Sequence, residues 1–117
     1  MRYAIRPLAE GDKREGLFMM REFYSSPAVF TNGSKEIFEA DFDNCIADNP
    51  YIEGYVFEGD DGILGYAMLA KSFSTEFGKP CIWIEDIYIK EAFRGQEIGK
   101  QFLDHIAQKY AGCLLRL

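Results

Sequence analysis

Residues 81–100 read Cys81-Ile-Trp-Ile-Glu-Asp-Ile-Tyr-Ile-Lys-Glu-Ala-Phe-Arg-Gly-Gln-Glu-Ile-Gly-Lys100, and this stretch decides the fold. Its first ten residues are rich in β-branched and aromatic side chains on both faces, which predicts a central, buried strand. Apolar residues then recur four apart, which predicts a helix over about residues 97–110, ended by Gly112. A buried strand, a short loop and a helix in succession predict a crossover to a parallel neighbouring strand that starts at Cys113.

The loop before that helix has the features of an anion site. The segment Phe93-Arg-Gly-Gln-Glu-Ile-Gly-Lys100 combines free N–H groups at a helix start with glycines and two cations, Arg94 and Lys100, which would suit a diphosphate. Ordinary loop residues with two surface cations would give the same pattern. Neither G-x-x-x-x-G-K-[ST] nor G-x-G-x-x-G is present, which disfavours a nucleoside triphosphatase and a dinucleotide dehydrogenase.

The rest of the chain predicts two helices and three strands around this unit. The helices run from Asp12 to about Ser25 and from a cap at Ser34 to Asn49-Pro50. The predicted strands are Tyr3 to Leu8, Tyr51 to Glu58 and Ile63 to Ser72, the last two joined by the hairpin turn 59–62, and a loop covers Phe73 to Pro80. The element order is therefore β-α-α-β-β-β-α-β, typical of an α/β (α+β) domain.

Composition bounds the class of protein. The chain has 117 residues, 48% of them hydrophobic, with 13 Lys plus Arg against 19 Asp plus Glu, a formal net charge of −6. We expect one domain, no membrane segment and a cytoplasmic location, because no apolar run reaches about 20 residues and the start lacks a signal core. Three widely spaced cysteines and one histidine predict neither a disulfide framework nor a metal site.

The charge is unevenly distributed. Residues 1–62 hold 13 acids and 6 bases, whereas residues 63–117 hold 6 acids and 7 bases. Nine acids and no base lie between Lys35 and Lys71, and such a block repels nucleic acid, so no nucleic-acid partner is expected. A solvated acidic helix with acidic turns explains the block, and so does a wall that attracts a cationic substrate.

Residues 83–100 resemble the GNAT superfamily of acyl-CoA-dependent N-acyltransferases. The family signature R/Q-x-x-G-x-G/A opens a helix after a buried strand, and here it reads Arg94-Gly-Gln-Glu-Ile-Gly99. The strand Trp83-Ile-Glu-Asp-Ile-Tyr-Ile89 is similar to the fourth strand of the spermidine/spermine acetyltransferase branch. The resemblance implies a GNAT-like three-layer fold with a central mixed sheet. It also implies transfer of an acetyl group from acetyl-CoA, as co-substrate and without a metal, to a primary amine.

The resemblance also implies where CoA binds. Backbone groups at Ile87, Tyr88 and Ile89 would hold the pantetheine arm and polarise the thioester carbonyl. The pyrophosphate would lie on the loop and helix start, at the positions Arg94, Gly95, Gln96, Glu97, Ile98, Gly99 and Lys100. Two departures stand out. Glu97 replaces the usual middle glycine, and the family continues past the fifth strand into a helix with an Asn and a Tyr, so residues 1–117 are expected to form one domain that is truncated after the fifth strand.

The acceptor amine must lose a proton, for which a nearby carboxylate can serve. Glu85 and Asp86 are adjacent on a strand, so they point to opposite faces unless a bulge intervenes. We favour Glu85 as the base, because it matches the family position and because a carboxylate on a central strand needs a partner or ligand. Asp86 and Glu22 are candidates for acceptor binding. Buried partners for both strand carboxylates are an equally open alternative.

The sequence thus favours an N-acetyltransferase for a small-molecule amine, of which a polyamine is one example. The alternatives are a noncatalytic acyl-CoA-binding or protein-interaction domain and a structural α/β domain unrelated to CoA. Open strand edges at the end of the fold predict a homodimer or marginal stability.

Overall fold

Alternating apolar residues build a five-stranded sheet that three helices cover. The computed structural model describes residues 2–27, 29 and 33–117. Its strands are Tyr3–Pro7 (β1), Ile52–Gly59 (β2), Gly62–Ser74 (β3), Lys79–Ile89 (β4) and Leu114–Arg116 (β5), and its helices are Lys13–Tyr24 (α1), Lys35–Ile46 (α2) and Ile98–Lys109 (α3). The predicted element order is confirmed.

The strands follow the order β1-β2-β3-β4-β5 in one mixed sheet. The first four are antiparallel to their neighbours, and β5 pairs with β4 in parallel. The crossover through α3 therefore returns the chain to the side of β4, as predicted. β4 is an inner strand, but β3 occupies the middle of the sheet, one place from where the sequence put the central strand.

Each face of the sheet carries its own apolar core. On one face, α1 and α2 pack Met19, Met20 and Phe42 against residues such as Val56 and Tyr66. On the other, α3 packs Phe102 and Ile106 against a second set that includes Tyr55, Phe57 and Leu69. The predicted three-layer arrangement, helices on both faces of a mixed sheet, is thus confirmed.

The two predicted helix caps differ in outcome. The Ser34 hydroxyl accepts a hydrogen bond from the Ile37 N–H at 3.3 Å and caps α2, as predicted. Asp12 does not cap α1 with its side chain. Its carboxylate instead accepts two hydrogen bonds from Arg6, at 2.8 and 2.9 Å, and one from the Ala9 N–H. Asp12 therefore ties the start of α1 to β1.

The segment between β3 and β4 is a paired hairpin rather than the predicted loop from Phe73 to Pro80. Phe73 pairs with Pro80, Ser74 pairs with Lys79, and the turn is confined to residues 75–78. Gly78 closes the turn with φ +65° and donates its N–H to the Ser74 carbonyl at 2.8 Å. Exposed and partly polar side chains hide this pairing, because the ladder is made by backbone groups.

Along the described parts of the chain, no helix combines the length and the apolar character needed to cross a membrane.

Candidate active site

A β-bulge at Glu85 organises the site. Leu69 of β3 pairs with Ile84 and its neighbour Met68 pairs with Asp86, so Glu85 is left without a partner on β3. The bulge shifts the alternation of β4 by one residue. Ile82 and Ile84 lie on the α3 face before the bulge, and Ile87 and Ile89 lie on that same face after it. Because of this bulge, Glu85 and Asp86 do not have to point to opposite faces of the sheet.

Asp86 lies beneath α1 as a buried carboxylate, with 2% of its surface exposed. One carboxylate oxygen accepts from the Tyr24 hydroxyl at 2.9 Å and the other from the Tyr66 hydroxyl at 2.8 Å. Burial raises the pKa of Asp86, and the two tyrosine hydrogen bonds oppose that rise. The predicted direct contact between Asp86 and an acceptor does not fit this burial, because both carboxylate oxygens face tyrosine hydroxyls.

Glu85 has the opposite environment, because its side chain is exposed. The cost of a carboxylate inside a sheet, which favoured Glu85 from the sequence, falls on the buried Asp86 instead. The charge of Glu85 acts on Tyr24, Asp86 and Asp41, which places Glu85 on the side of α1 and α2. Asp41 is partly buried on α2, and burial, followed by the repulsion from Glu85, raises its pKa. Three carboxylates thus gather where α1, α2 and β4 meet.

Some of the nine acids between Lys35 and Lys71 form ion pairs within the described ranges and others do not. Four of its members pair with a base: Lys13 with Asp43 at 2.8 Å, Arg6 with Glu58 at 2.9 Å, Lys71 with Glu53 at 3.1 Å and Lys35 with Glu39 at 3.8 Å. Among the residues that the structure describes, neither Asp41 nor Glu85 takes part in an ion pair. Ion pairs therefore account for four of the nine acids in the block. Asp41 of the block and Glu85 of β4 lie near each other without an ion pair inside residues 2–27, 29 and 33–117 and stay available to a cation.

Glu22 is exposed on α1. Within the described ranges, no hydrogen bond or ion pair connects it to Glu85 or Asp86. The structure thus brings Glu85 and Asp86 together, and the role of Glu22 in acceptor binding stays a prediction.

The edge of β4 that faces β5 is largely open. β5 pairs with β4 only at Cys81, Ile82 and Trp83, so β4 from Ile84 onward has no partner on that side in the described residues. The Lys90 N–H donates to the Leu64 carbonyl of β3 at 2.8 Å. Because successive strand residues direct their backbone groups to opposite edges, the amides of Ile89 and Ile87 face the open edge.

Tyr88 differs from its two neighbours, because the same alternation turns its amide toward β3. The prediction that the Tyr88 N–H would serve the site does not fit this direction. Its ring instead supports Arg94, whose guanidinium lies 5.5 Å from the ring centroid and whose Nε donates to the Ile89 carbonyl at 2.7 Å. Arg94 is thereby held beside the open edge of β4.

The start of α3 offers uncapped amides. Glu97 occupies the N-cap position without a side-chain capping bond, and the first three helical amides, from Ile98 to Lys100, have no acceptor one turn earlier within the helix. Gly95 and Glu97 have φ of +79° and +63°. Glu97 is the one residue other than glycine with positive φ in the described ranges, which explains why a glycine suits this position.

The loop side chains leave the amides accessible. Arg94, Gln96, Glu97 and Lys100 are exposed, whereas Ile98 is 3% exposed and anchors the helix in the core. Gly99 rests above Ile87, and a Cβ built on it would lie 3.6 Å from the Ile87 Cδ1. The structure therefore brings the predicted phosphate positions and the end of β4 into one continuous surface.

Three functional candidates escaped the sequence reasoning: Tyr24, Asp41 and Tyr66. Tyr24 ends α1, directly before the Ser25-Ser26-Pro27 segment, and Asp41 is one of nine acids in a block. Tyr66 is an alternating residue of β3, opposite Tyr88 and two positions from Met68, the partner of Asp86. The sequence signal that existed was the need of a strand carboxylate for donors, which points to tyrosines on neighbouring elements without choosing among them.

Two curated relatives are similar to this chain. A thialysine N-epsilon-acetyltransferase from Sus scrofa is 32% identical over 114 residues, which cover 89% of this chain and 65% of the relative. A protein of the same name from Bos taurus is 39% identical over 46 residues, which cover 39% of this chain and 26% of the relative. The chain thus spans about two thirds of the length of the pig relative.

Solved structures share the fold. A possible acetyltransferase from Clostridium difficile 630 has a TM-score of 0.82 at 11% identity and covers 100% of this chain and 80% of its own. A predicted acetyltransferase with acetyl-CoA from Clostridium acetobutylicum has a TM-score of 0.77 at 17% identity, with coverages of 97% and 80%. At these identities the likeness concerns the fold alone.

The family assignment rests on most of the chain. Residues 17–116 match the Acetyltransferase (GNAT) family, a range that runs from α1 through the bulged β4 and the uncapped start of α3 to β5. Because the match covers most of the chain and agrees with the order of the elements and the open edge of β4, this chain belongs to the GNAT acetyltransferase family.

Proposed function

We propose that this chain carries the acetyl-CoA and amine sites of an N-acetyltransferase that acts on a primary amine. One observation carries the proposal: the exposed carboxylate of Glu85 stands on a bulge in β4, two residues before Ile87, whose amide faces the open edge of that strand. A base for the amine and N–H donors for a carbonyl oxygen thus lie on one short stretch of strand. Acetyl transfer to an amine needs both.

The residues around α3 fit the diphosphate of CoA. The uncapped amides from Ile98 to Lys100 lie at the positive end of the helix dipole, where an anion is stabilised. A Cβ on Gly95 would meet no atom within 4 Å, so space is open above the loop. Arg94 adds a fixed positive charge beside this space. Glu97 works against the anion, because its carboxylate lies at the same helix start.

Acetyl-CoA supplies a thioester whose carbonyl carbon the amine attacks. Glu85 would take the proton from the ammonium, directly or through a water molecule, and leave the nitrogen a lone pair. The N–H groups of Ile87 and Ile89 would donate to the carbonyl oxygen as it gains negative charge. A C–N bond forms and the C–S bond breaks, and the leaving thiolate takes up the proton that the nitrogen loses as the amide forms.

The charge of the site supports a cationic small-molecule acceptor. Glu85 and Asp41 carry negative charge with no ion-pair partner in the described part of the chain, so an ammonium group would complement them. The name of the pig relative, thialysine N-epsilon-acetyltransferase, supports the same class. We propose thialysine and polyamines as the first acceptors to test.

The test measures thiol release from acetyl-CoA with a panel of thialysine, lysine, spermidine, spermine and a peptide with a free N-terminus. We expect turnover with at least one small-molecule amine, and its loss in Glu85→Gln. The matched control is Glu10→Gln, an exposed glutamate beside the start of α1. A chain that binds CoA but acetylates none of these amines would favour the noncatalytic alternative, and a chain that does not bind CoA would contradict both functions.

A further inference from the structure

Asp86 is a buried carboxylate with neutral partners. Its two oxygens each accept one hydroxyl hydrogen bond, from Tyr24 of α1 and from Tyr66 of β3. No ion pair of the described residues includes Asp86. A buried carboxylate normally has a cation beside it, because desolvation of an unpaired charge is costly. The tyrosines therefore provide the polar contacts that the protein supplies to this charge.

The surroundings of Asp86 oppose its ionisation. The titratable groups that act on it or on its partners come from every element packed around it: Tyr24 from α1, Asp41 and Cys45 from α2, Tyr66 from β3 and Glu85 from β4. Burial and the negative charges of Asp41 and Glu85 raise the pKa of Asp86. The hydrogen bonds from Tyr66 and Tyr24 lower it. The two hydroxyls are thus the groups that favour the charged form.

We propose that Tyr24 and Tyr66 are positioning residues of the acceptor site, which act by keeping Asp86 ionised behind Glu85. Asp86 is too buried to touch an acceptor, but it follows Glu85 directly along β4 and lies where α1 packs on that strand. An ionised Asp86 adds a second negative charge beneath the ammonium that Glu85 meets. It also ties the end of α1 to β4 through Tyr24, and so fixes the position of α1 relative to Glu85.

The rings of Tyr24 and Tyr66 are packed against other aromatic rings. The Tyr66 ring is 1% exposed and lies 6.2 Å from the ring of Tyr88 and 6.4 Å from that of Phe23. The Tyr24 ring lies 5.3 Å from Phe38 and 5.1 Å from Phe23. Both rings are therefore held by packing, and a phenylalanine would keep this packing while removing the hydroxyl. The hydroxyl and the ring can be tested separately for that reason.

The experiment follows the side-chain carboxyl of Asp86 by ¹³C NMR through a pH titration of the full chain labelled at aspartate. Asp86→Asn assigns the signal. We expect the wild-type signal to report an ionised carboxylate at pH 7.5. In Tyr24→Phe and in Tyr66→Phe the midpoint should move to higher pH by about one unit each, because a hydrogen bond to the charged form is lost.

Tyr55→Phe is the matched control. The Tyr55 hydroxyl also donates to a carboxylate, Glu53, at 3.1 Å, but it belongs to the core on the α3 face. We expect this variant to leave the Asp86 midpoint unchanged. If both Tyr24→Phe and Tyr66→Phe leave the midpoint unchanged, or if wild-type Asp86 is protonated at pH 7.5, the proposal is overturned, even where the variants lower stability.

The kinetic consequence rests on the proposed acetyltransferase function. The acidic limb of kcat/KM for the acceptor should move upward by the same amount in the tyrosine variants, while the Kd for CoA stays within twofold. If the acidic limb of kcat/KM does not move in a variant whose Asp86 titrates at higher pH, the proposed role of the tyrosines in the acceptor site is overturned. If the wild type transfers no acetyl group, the proposed function fails, and the NMR titration alone decides whether the tyrosines keep Asp86 ionised.

Discussion

Replacing Glu97 by glycine should tighten CoA binding while leaving stability nearly unchanged. Glu97 has φ +63°, in the left-handed region, and its side chain is exposed at the start of α3. Glycine adopts this backbone without strain and removes the carboxylate from the place where the diphosphate would bind. The substitution therefore changes stability through effects of opposite sign and changes CoA binding through the lost charge.

The magnitudes follow from this geometry. Relief of the left-handed strain contributes roughly 1–2 kcal/mol. It is offset by the lost interaction of the acid with the helix dipole, about 0.3–1 kcal/mol, and by the freer unfolded chain of glycine, about 0.4–1 kcal/mol. The free energy of unfolding should thus change by less than about 1 kcal/mol. For binding, one charge about 7 Å from a doubly charged diphosphate in a water-like dielectric costs about 1 kcal/mol, or roughly fivefold in Kd at low salt.

The assay is calorimetric titration with CoA at low salt and at about 0.15 M salt, with urea unfolding in parallel. Glu97→Gln serves as the control, because it removes the charge and keeps the strained backbone. Both variants should bind CoA more tightly at low salt, with about half of the gain in free energy at the higher salt. Only Glu97→Gly should remove the strain of the left-handed backbone at residue 97, which urea unfolding would report. Unchanged affinity in both variants would refute the placement of the diphosphate at the start of α3.

Three further predictions concern the CoA site, the pairing of β3 with β4 and the ion pair at the start of α1. Gly99→Glu should weaken CoA binding at least fivefold at low salt, whereas Gly99→Ala should bind normally, because a Cβ there lies at an ordinary 3.6 Å from Ile87; equal affinities would contradict the site. Gly65→Ala should cost about 2–4 kcal/mol in urea unfolding, because its Cβ would lie 2.2 Å from the Tyr88 carbonyl oxygen, while Gly11→Ala, with nothing within 4 Å, stays within about 0.5 kcal/mol; similar losses in the two would argue against the close strand pairing. Arg6 holds the pKa of Asp12 below its ordinary value of 3.8, so the stability from this pair is present above that pH and is lost as pH falls through the lower folded value. Asp12→Asn should accordingly be less stable by about 1–3 kcal/mol at pH 7 and show a flatter decline below about pH 4 in urea unfolding, and a decline as steep as that of the wild type would rule out this pair as the cause.

Local sequence patterns predicted most of the fold. Helical spacing located α2 and α3, Ser34 marked a true cap, and the strand, loop and helix of residues 81–110 folded as a parallel crossover. These features depend on residues that are close in sequence, so they can be read from one chain. The hairpin tip was missed, because the pairing of Phe73 with Pro80 is made by the backbone and leaves no apolar pattern.

The bulge is visible in the sequence as a break in the alternation of apolar residues along β4. The apolar positions Ile82 and Ile84 are even, whereas Ile87 and Ile89 are odd, and all four lie on one face of the sheet. A strand that keeps one apolar face across such a break must contain an extra residue. The extra residue is Glu85, so the sequence of β4 alone contains the signal for its bulge.

The partners of Asp86 could not be predicted in the same way. Tyr24 is 62 residues away along the chain, and Tyr66 is 20 residues away. Their meeting depends on how α1 packs on the sheet and on the register of β3 with β4. Local patterns indicate that a buried carboxylate needs donors, but only the tertiary packing selects these two tyrosines.

The pH dependence of acetyl transfer by Glu85→Gln tests most directly whether Glu85 is the base. An amide cannot take a proton at neutral pH, so kcat/KM for the acceptor should fall about a hundredfold at pH 7, roughly 3 kcal/mol of barrier, with CoA affinity unchanged. The loss should shrink as pH rises, because more of the acceptor is then a free amine. A variant with intact turnover at pH 7, or with a loss that is the same at every pH, would contradict the role of Glu85 as the base.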